Sequence, residues 1–185
     1  MTRSEWTSRG RRSLRAGLAM AGLAAALLTA TPATSASAAT PVTPNGGQHH
    51  LWNLNSGLCL NVSGYSTQAS ANTEIWNCLN QPAEQWQFQP DGTIYNPNSG
   101  FCLNVKGDST GAGAPTEVWS CDTTVNPSEK WQLRDDGSIY NPNSQLCLNV
   151  KADAIGTSSP TEIWNCDGRT SEKWTQFDMP QVKAS

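Results

Sequence analysis

The chain is 185 residues long, 37% hydrophobic and 15% charged, with 12 basic against 15 acidic side chains. Setting aside an N-terminal leader that holds five of the arginines and one glutamate leaves 7 basic against 14 acidic side chains, a net charge of about −7. The remaining residues, about 146, suffice for one domain with a real core. Their acid balance opposes the counterion release on which nucleic-acid affinity rests, so neither nucleic acid nor an anionic membrane is an expected partner.

In chain order, residues 1–39 read as an export signal. Arg3, Arg9, Arg11, Arg12 and Arg15 form a basic start, Ala16 to Ala30 an apolar run, and TPATSASAA a small-residue cleavage site. The apolar run is too short to span a bilayer and no later stretch approaches the roughly 18 residues a span requires, so no membrane insertion is expected. Arg11-Arg12 raises the twin-arginine route, with the ordinary secretory route as the default. The expected product is a secreted, extracellular protein with a Pro/Gly-rich segment at 40–47, one domain at 48–178 and a tail at 179–185.

Within that domain the tetrapeptide CLNV recurs at 59–62, 102–105 and 147–150. It marks three copies of one unit with a period of 43 to 45 residues, about 48–92, 93–137 and 138–178. Each copy carries short period-two runs (LCLNV, TEIWNC, QWQF, TIYN) bounded by Gly, Asn, Pro and Ser, which read as strands. Asp91-Gly92 and Asp136-Gly137 fall between such runs and signal hairpins. No helical periodicity of useful length is present. Four strands in each of three units, twelve in all, predict a closed, threefold all-β barrel with hairpins capping one end.

The repeat also assigns the six cysteines. Cys59 and Cys78, Cys102 and Cys121, Cys147 and Cys166 are each 19 positions apart in equivalent contexts, which selects one disulfide per repeat. Each such loop contributes roughly 3 kcal/mol in the chain-entropy model. No short C-x-x-C spacing supports a metal site, and His49-His50 would need a further convergent ligand, so neither metal nor cofactor is expected. The two histidines are adjacent, hence on opposite strand faces, and no Ser/His/Asp or Cys/His set can be assembled. The carboxylates recur threefold, whereas an active site needs one asymmetric pair, so no catalytic residue and no enzyme is expected.

Strand parity sorts the rest. If Leu60 and Val62 face the core, Asn61 points the other way, as do Asn104 and Asn149. The same parity sends Glu74, Trp76 and Cys78 outward, with Glu117 and Trp119, and Glu162 and Trp164, in the other copies. Each outward Trp either covers its disulfide or offers a platform for the C–H face of a sugar. Trp86, Trp131 and Trp174 share parity with core residues.

The combination C-L-x-V, x-W-x-C and a Q-x-W-like motif, repeated over Leu51 to Phe177, resembles the ricin B-type β-trefoil lectin family. The resemblance implies a β-trefoil lectin domain over 48–178 and a saccharide platform at Trp76, Trp119 and Trp164. The chain departs from the family's usual ligands: the aspartate of C-L-D-V is Asn61, Asn104 and Asn149, and the glutamine before the platform is Glu74, Glu117 and Glu162. The asparagine before Q-x-W is Ala83, Ser128 and Ser171, and the glutamine of Q-x-W is Glu84, Glu129 and Glu172. The resemblance therefore implies Asn61 facing Glu84, Asn104 facing Glu129 and Asn149 facing Glu172, each amide donating to an ionised carboxylate. Glu74, Glu117 and Glu162 would then supply the acceptor that the missing aspartates give up. The expected function is recognition of polysaccharide or glycan through up to three equivalent shallow sites. The alternative is a trefoil that has lost sugar binding and binds a protein partner, as a protease inhibitor or as a subunit of a secreted assembly. The loop SGYSTQASANT carries Tyr65 where the other repeats have Asp108 and Asp153, a hint of asymmetry. The sequon Asn61-Val62-Ser63 lies in a strand without counterparts and is read as chance.

Overall fold

The computed structural model describes residues 47–122 and 126–178; the expected leader, most of segment 40–47 and the tail at 179–185 lie outside the described residues. Twelve strands form: β1 His49–Asn53, β2 Cys59–Val62, β3 Thr73–Trp76, β4 Gln85–Phe88, β5 Ile94–Asn96, β6 Phe101–Val105, β7 Thr116–Trp119, β8 Gln132–Leu133, β9 Ile139–Asn141, β10 Leu146–Val150, β11 Ser159–Trp164 and β12 Trp174–Phe177. Each is short because Gly, Asn, Pro or Ser punctuates the period-two runs. The only helical elements among the described residues are six single 3-10 turns.

β1 pairs with β4 and β12, β4 with β5, and β8 with β9. Trp131 N–H to Gly92 O (2.7 Å), Trp174 N–H to Gly137 O (2.8 Å) and the bridge between Ser138 and Lys173 complete a six-stranded ring, leaving no open edge. The hairpins β2–β3, β6–β7 and β10–β11 cap one end. They join one another through β3 with β11 and through the bridges Asn72 to Glu117 and Pro115 to Glu162. The expected threefold barrel and cap are both present.

Where the hairpins meet, Thr73, Thr116 and Thr161 form a closed triangle of hydroxyls at 2.6, 2.7 and 2.7 Å. Each hydroxyl can donate once and accept once, so three polar groups are satisfied away from water. Leu60, Leu103 and Leu148 pair across the hairpins with Ile75, Val118 and Ile163, and all six are fully buried. Trp86, Trp131 and Trp174 are buried as parity predicts, and each indole N–H donates to the carbonyl before the asparagine of CLNV: Leu60, Leu103 and Leu148, at 3.0, 2.9 and 3.0 Å. The three disulfides fall within their repeats, with Cα separations of 5.2, 5.0 and 5.2 Å.

The Asp-Gly hairpins are not two-residue turns. Gly92 N–H bonds Gln89 O at 3.0 Å and Gly92 has φ +87°, so Pro90-Asp91 turn and the glycine takes up a left-handed bulge. Asp91 Oδ1 then accepts from Thr93 N–H and hydroxyl, which fixes the bulge.

Candidate functional site

The register of each cap hairpin sets an amide opposite a carboxyl and a tryptophan beside them. Asn61 is directly across from Glu74 and Cys59 from Trp76; Asn104 pairs with Glu117, and Asn149 with Glu162. Asn61 Nδ2 donates to Glu74 Oε1 at 3.3 Å, Asn104 Nδ2 to Glu117 Oε1 at 3.5 Å, and Asn149 likewise bonds Glu162. Parity therefore places these groups together on the outer side, as expected. The asparagines are nonetheless buried rather than exposed. The 3-10 turns Pro82–Glu84, Pro127–Glu129 and Thr170–Glu172 fold across β2, β6 and β10 and cover them. Buried asparagines clamp the same turns: Asn96 Nδ2 donates to Ala83 O, Asn141 to Ser128 O and Asn53 to Ser171 O.

Those turns carry Glu84, Glu129 and Glu172, all fully buried. The expected donation from the CLNV asparagine into these carboxylates is not what forms, since each amide N–H2 is committed across the hairpin instead. Glu84 Oε2 accepts from Leu79 N–H at 2.9 Å and Gln81 N–H at 3.2 Å. Glu129 Oε2 accepts from Asp122 N–H at 2.7 Å, and Glu172 Oε2 from Gly168 N–H at 3.1 Å. Burial pushes all three acids above the ordinary glutamate range, Glu129 to about 7, although the backbone donors work in the opposite direction.

The three outer sets differ in what else reaches the carboxyl. Glu74 Oε2 takes the Ser63 hydroxyl at 3.2 Å. Glu117 Oε2 takes the Ser70 hydroxyl at 2.8 Å, from the preceding repeat's loop, and Lys106 Nζ at 3.1 Å. Among the described residues, Glu162 has only Lys151 Nζ at 4.0 Å beside its Asn149 bond, and burial raises its pKa. The residue aligned with Ser70 is Gly113, which brings no hydroxyl to Glu162. A Cβ built there would lie 3.5 Å from the Trp164 ring. A shallow cleft of about 330 Å³ therefore opens over Asn149, Glu162 and Trp164, bounded by Gly113, Lys151 and Arg169.

Further residues shape this third set that motif reading did not single out as partners. Asp153 accepts from the Ser171 hydroxyl at 2.6 Å and from Arg169 Nη1 at 3.2 Å, tying the loop after β10 to the turn before β12. Repeat one has Tyr65 and Ala83 at the positions of Asp153 and Ser171, so its tie is missing and Tyr65 stands 42% exposed. The sequence signal was there as a paired change, Asp with Ser in one copy and Tyr with Ala in another. Trp119 is 42% exposed, while Trp76 and Trp164 are half-buried. No group of three or more His, Cys, Asp or Glu side chains suited to a metal ion occurs among the described residues.

The sequence profile of the ricin-type β-trefoil lectin domain matches residues 46–174. The chain belongs to the ricin-type β-trefoil lectin family. Among solved structures, this lectin domain is similar to the designed threefold-symmetric protein ThreeFoil (24% identity, TM-score 0.67, covering 71% of this chain and 99% of that one). It is also similar to the C-half of an earthworm R-type lectin solved with GalNAc (14%, TM-score 0.61, 70% and 96%). A third similar structure is a non-toxic homologue of type II RIPs from Momordica charantia, bitter gourd, solved with α-methyl-D-galactoside (22%, TM-score 0.63). That match covers 72% of this chain but only 48% of the bitter gourd chain. A search of curated protein sequences found no match. At these identities the structural likenesses establish the fold. Family membership brings carbohydrate binding as the general function, through a domain that is not by itself catalytic.

Proposed function

We propose that this lectin is exported and binds polysaccharide through the outer faces of its cap hairpins, with repeat three as the best-formed site. The observation that carries the reading is the cleft lined by Asn149, Glu162 and Trp164, where a half-buried aromatic face lies beside a buried amide and a buried carboxyl with spare acceptor capacity. An aromatic ring packs on the apolar face of a pyranose while the polar groups take its hydroxyls. Glu162 supplies the acceptor, Asn149 holds Glu162, and Trp164 is the platform. Glu74 with Trp76 and Glu117 with Trp119 form two further sites of the same kind, each with its acceptor more heavily engaged by protein groups. Three disulfides in one small domain support an oxidising, extracellular setting.

Shallow sites of this type bind single sugars with dissociation constants near millimolar, about −4 kcal/mol, and gain strength when several engage one polymer. The test is retention on insoluble plant or cell-wall polysaccharide. Trp164→Ala should release most of the bound protein, with smaller losses for Trp76→Ala and Trp119→Ala, and monosaccharide should compete poorly. Unchanged retention when all three are alanine would refute the platform reading and favour a protein partner.

A further inference from the structure

In each repeat a buried amide faces one carboxyl across its hairpin, and a turn bearing a second, buried carboxyl packs on the same strand. Asn61 faces Glu74, with Glu84 on the turn folded over β2; Asn104 faces Glu117, with Glu129 on the turn over β6, and Asn149 faces Glu162, with Glu172 on the turn over β10. The indole bonds to Leu60, Leu103 and Leu148 pin each Glu-x-Trp segment beside its asparagine. With the N–H2 of each amide turned to the outer acid, the Oδ1 atoms of Asn61, Asn104 and Asn149 are buried without a donor, and so are Glu84 Oε1 and Glu172 Oε1. Among the described residues, Glu129 Oε1 meets only Asn126 Nδ2, at 3.5 Å.

Two facing acceptors deep in a protein are costly unless one of them carries a proton. Turning the amide round does not help, because its oxygen would then face the outer acid. A primary amide between two carboxyls can be satisfied on both sides only if one is a carboxylic acid. We propose that Glu84, Glu129 and Glu172 hold that proton on Oε1 in mildly acidic solution and donate it to the Oδ1 of Asn61, Asn104 and Asn149, fixing the orientation of the amide in each binding site. Their other oxygen, Oε2, keeps its backbone donors.

The surroundings favour protonation of the inner member of each pair. The outer acids are served by Ser63, by Ser70 and Lys106, and by Lys151, which works against the burial that raises Glu162 as well. Facing the inner ones, His50 lies 3.9 Å from Glu84 but is itself held toward its neutral form by burial. Asp122 and Asp108 oppose a charge on Glu129 and Lys130 favours it; Asp167 opposes and Lys173 favours a charge on Glu172. Burial outweighs these and raises all three. A neutral carboxylic acid kept as a hydrogen-bond donor is a known use of such burial.

Ionisation of the inner acid sets two acceptors against each other, and the amide must turn to relieve them. It then abandons Glu74, Glu117 or Glu162. The inner glutamates are thus positioning residues for the sugar-facing acids. The proton assignment stands on the fold alone, while its consequence for binding rests on the proposed saccharide site. The sign of the linkage follows from folded pKa values raised above the unfolded one: the stabilisation is complete below the ordinary glutamate pKa and is lost as pH rises through the folded value, for Glu129 between about 4.5 and about 7.

The experiment is a carboxyl carbon-13 NMR titration of the oxidised protein, with urea unfolding from pH 5 to 8, on the wild type and on Glu129→Gln. Gln offers Oε1 to the backbone donors and an N–H2 to Asn104 at every pH. Glu129 should titrate near 7, and the urea midpoint should fall with pH in the wild type and fall less steeply in Glu129→Gln, which keeps Glu84 and Glu172. A carboxyl that titrates in the ordinary glutamate range, or a Glu129→Gln protein less stable than wild type at pH 5, overturns the proposal; the wild-type titration decides it even if the variant does not fold. In the same pH range, retention on polysaccharide should weaken severalfold for the wild type but not for the protein with all three inner glutamates changed to Gln. A level wild-type retention profile overturns the positioning role, whereas loss of retention at every pH counts against the saccharide reading and leaves the NMR result standing.

Discussion

Replacing Thr116 by Val tests whether the hydroxyl triangle at the centre of the cap is a hydrogen-bonded unit. Thr116 shares in two of its three contacts, at 2.6 Å to Thr73 and 2.7 Å to Thr161. The substitution removes both and strands one donor and one acceptor where no water reaches, at roughly 1 kcal/mol per bond and 1 to 3 kcal/mol for the stranded groups. A methyl at hydroxyl contact distance adds crowding. The expected cost is about 3 kcal/mol, against about 1 kcal/mol for Thr116→Ser, which keeps the hydroxyl and loses only a methyl. Thr73→Val likewise breaks two bonds, yet the double variant breaks three, so the sum of the single costs counts the Thr73–Thr116 bond twice. The double variant should therefore be more stable than additivity requires by about 1 kcal/mol. Urea unfolding of the disulfide-intact proteins at unchanged m-value measures all of these. Additive costs, or a serine variant as unstable as the valine one, would refute the reasoning.

Gly113→Ser should give repeat three the arrangement of repeat two, with a hydroxyl on Glu162 and a side chain over Trp164. Because Ser70 already holds φ +68° at the aligned position, the fold should tolerate the change, and polysaccharide retention should fall to near the level of Trp164→Ala. Trp131→Phe leaves the Leu103 carbonyl without its 2.9 Å donor and opens a small void, an expected loss of about 2 to 4 kcal/mol by urea unfolding.

The sequence by itself determined the architecture, because repetition multiplied a weak signal. One CLNV is an ordinary strand, but three at a regular period, with Cys, Trp and Gly-bounded runs in step, leave a closed threefold barrel as the way to bury them all. Parity likewise fixed which Trp of each unit enters the core, since a strand has only two faces, and the repeat fixed which cysteines meet. It could not say how deeply an outward face is covered. Asn61 points out of the barrel and is still buried, because the turn bearing Glu84 folds over it, and chain segments more than 20 residues apart in sequence decide that. Equally beyond one-dimensional reading was the partner of each amide: the hairpin register delivered Glu74, Glu117 and Glu162, not the acids of the Glu-x-Trp motifs. Only the tertiary structure decided that the three sites differ, because each is completed by the preceding repeat's loop. There, a Ser at 70 and a Gly at 113 set how much of the carboxyl and the ring is left for a ligand.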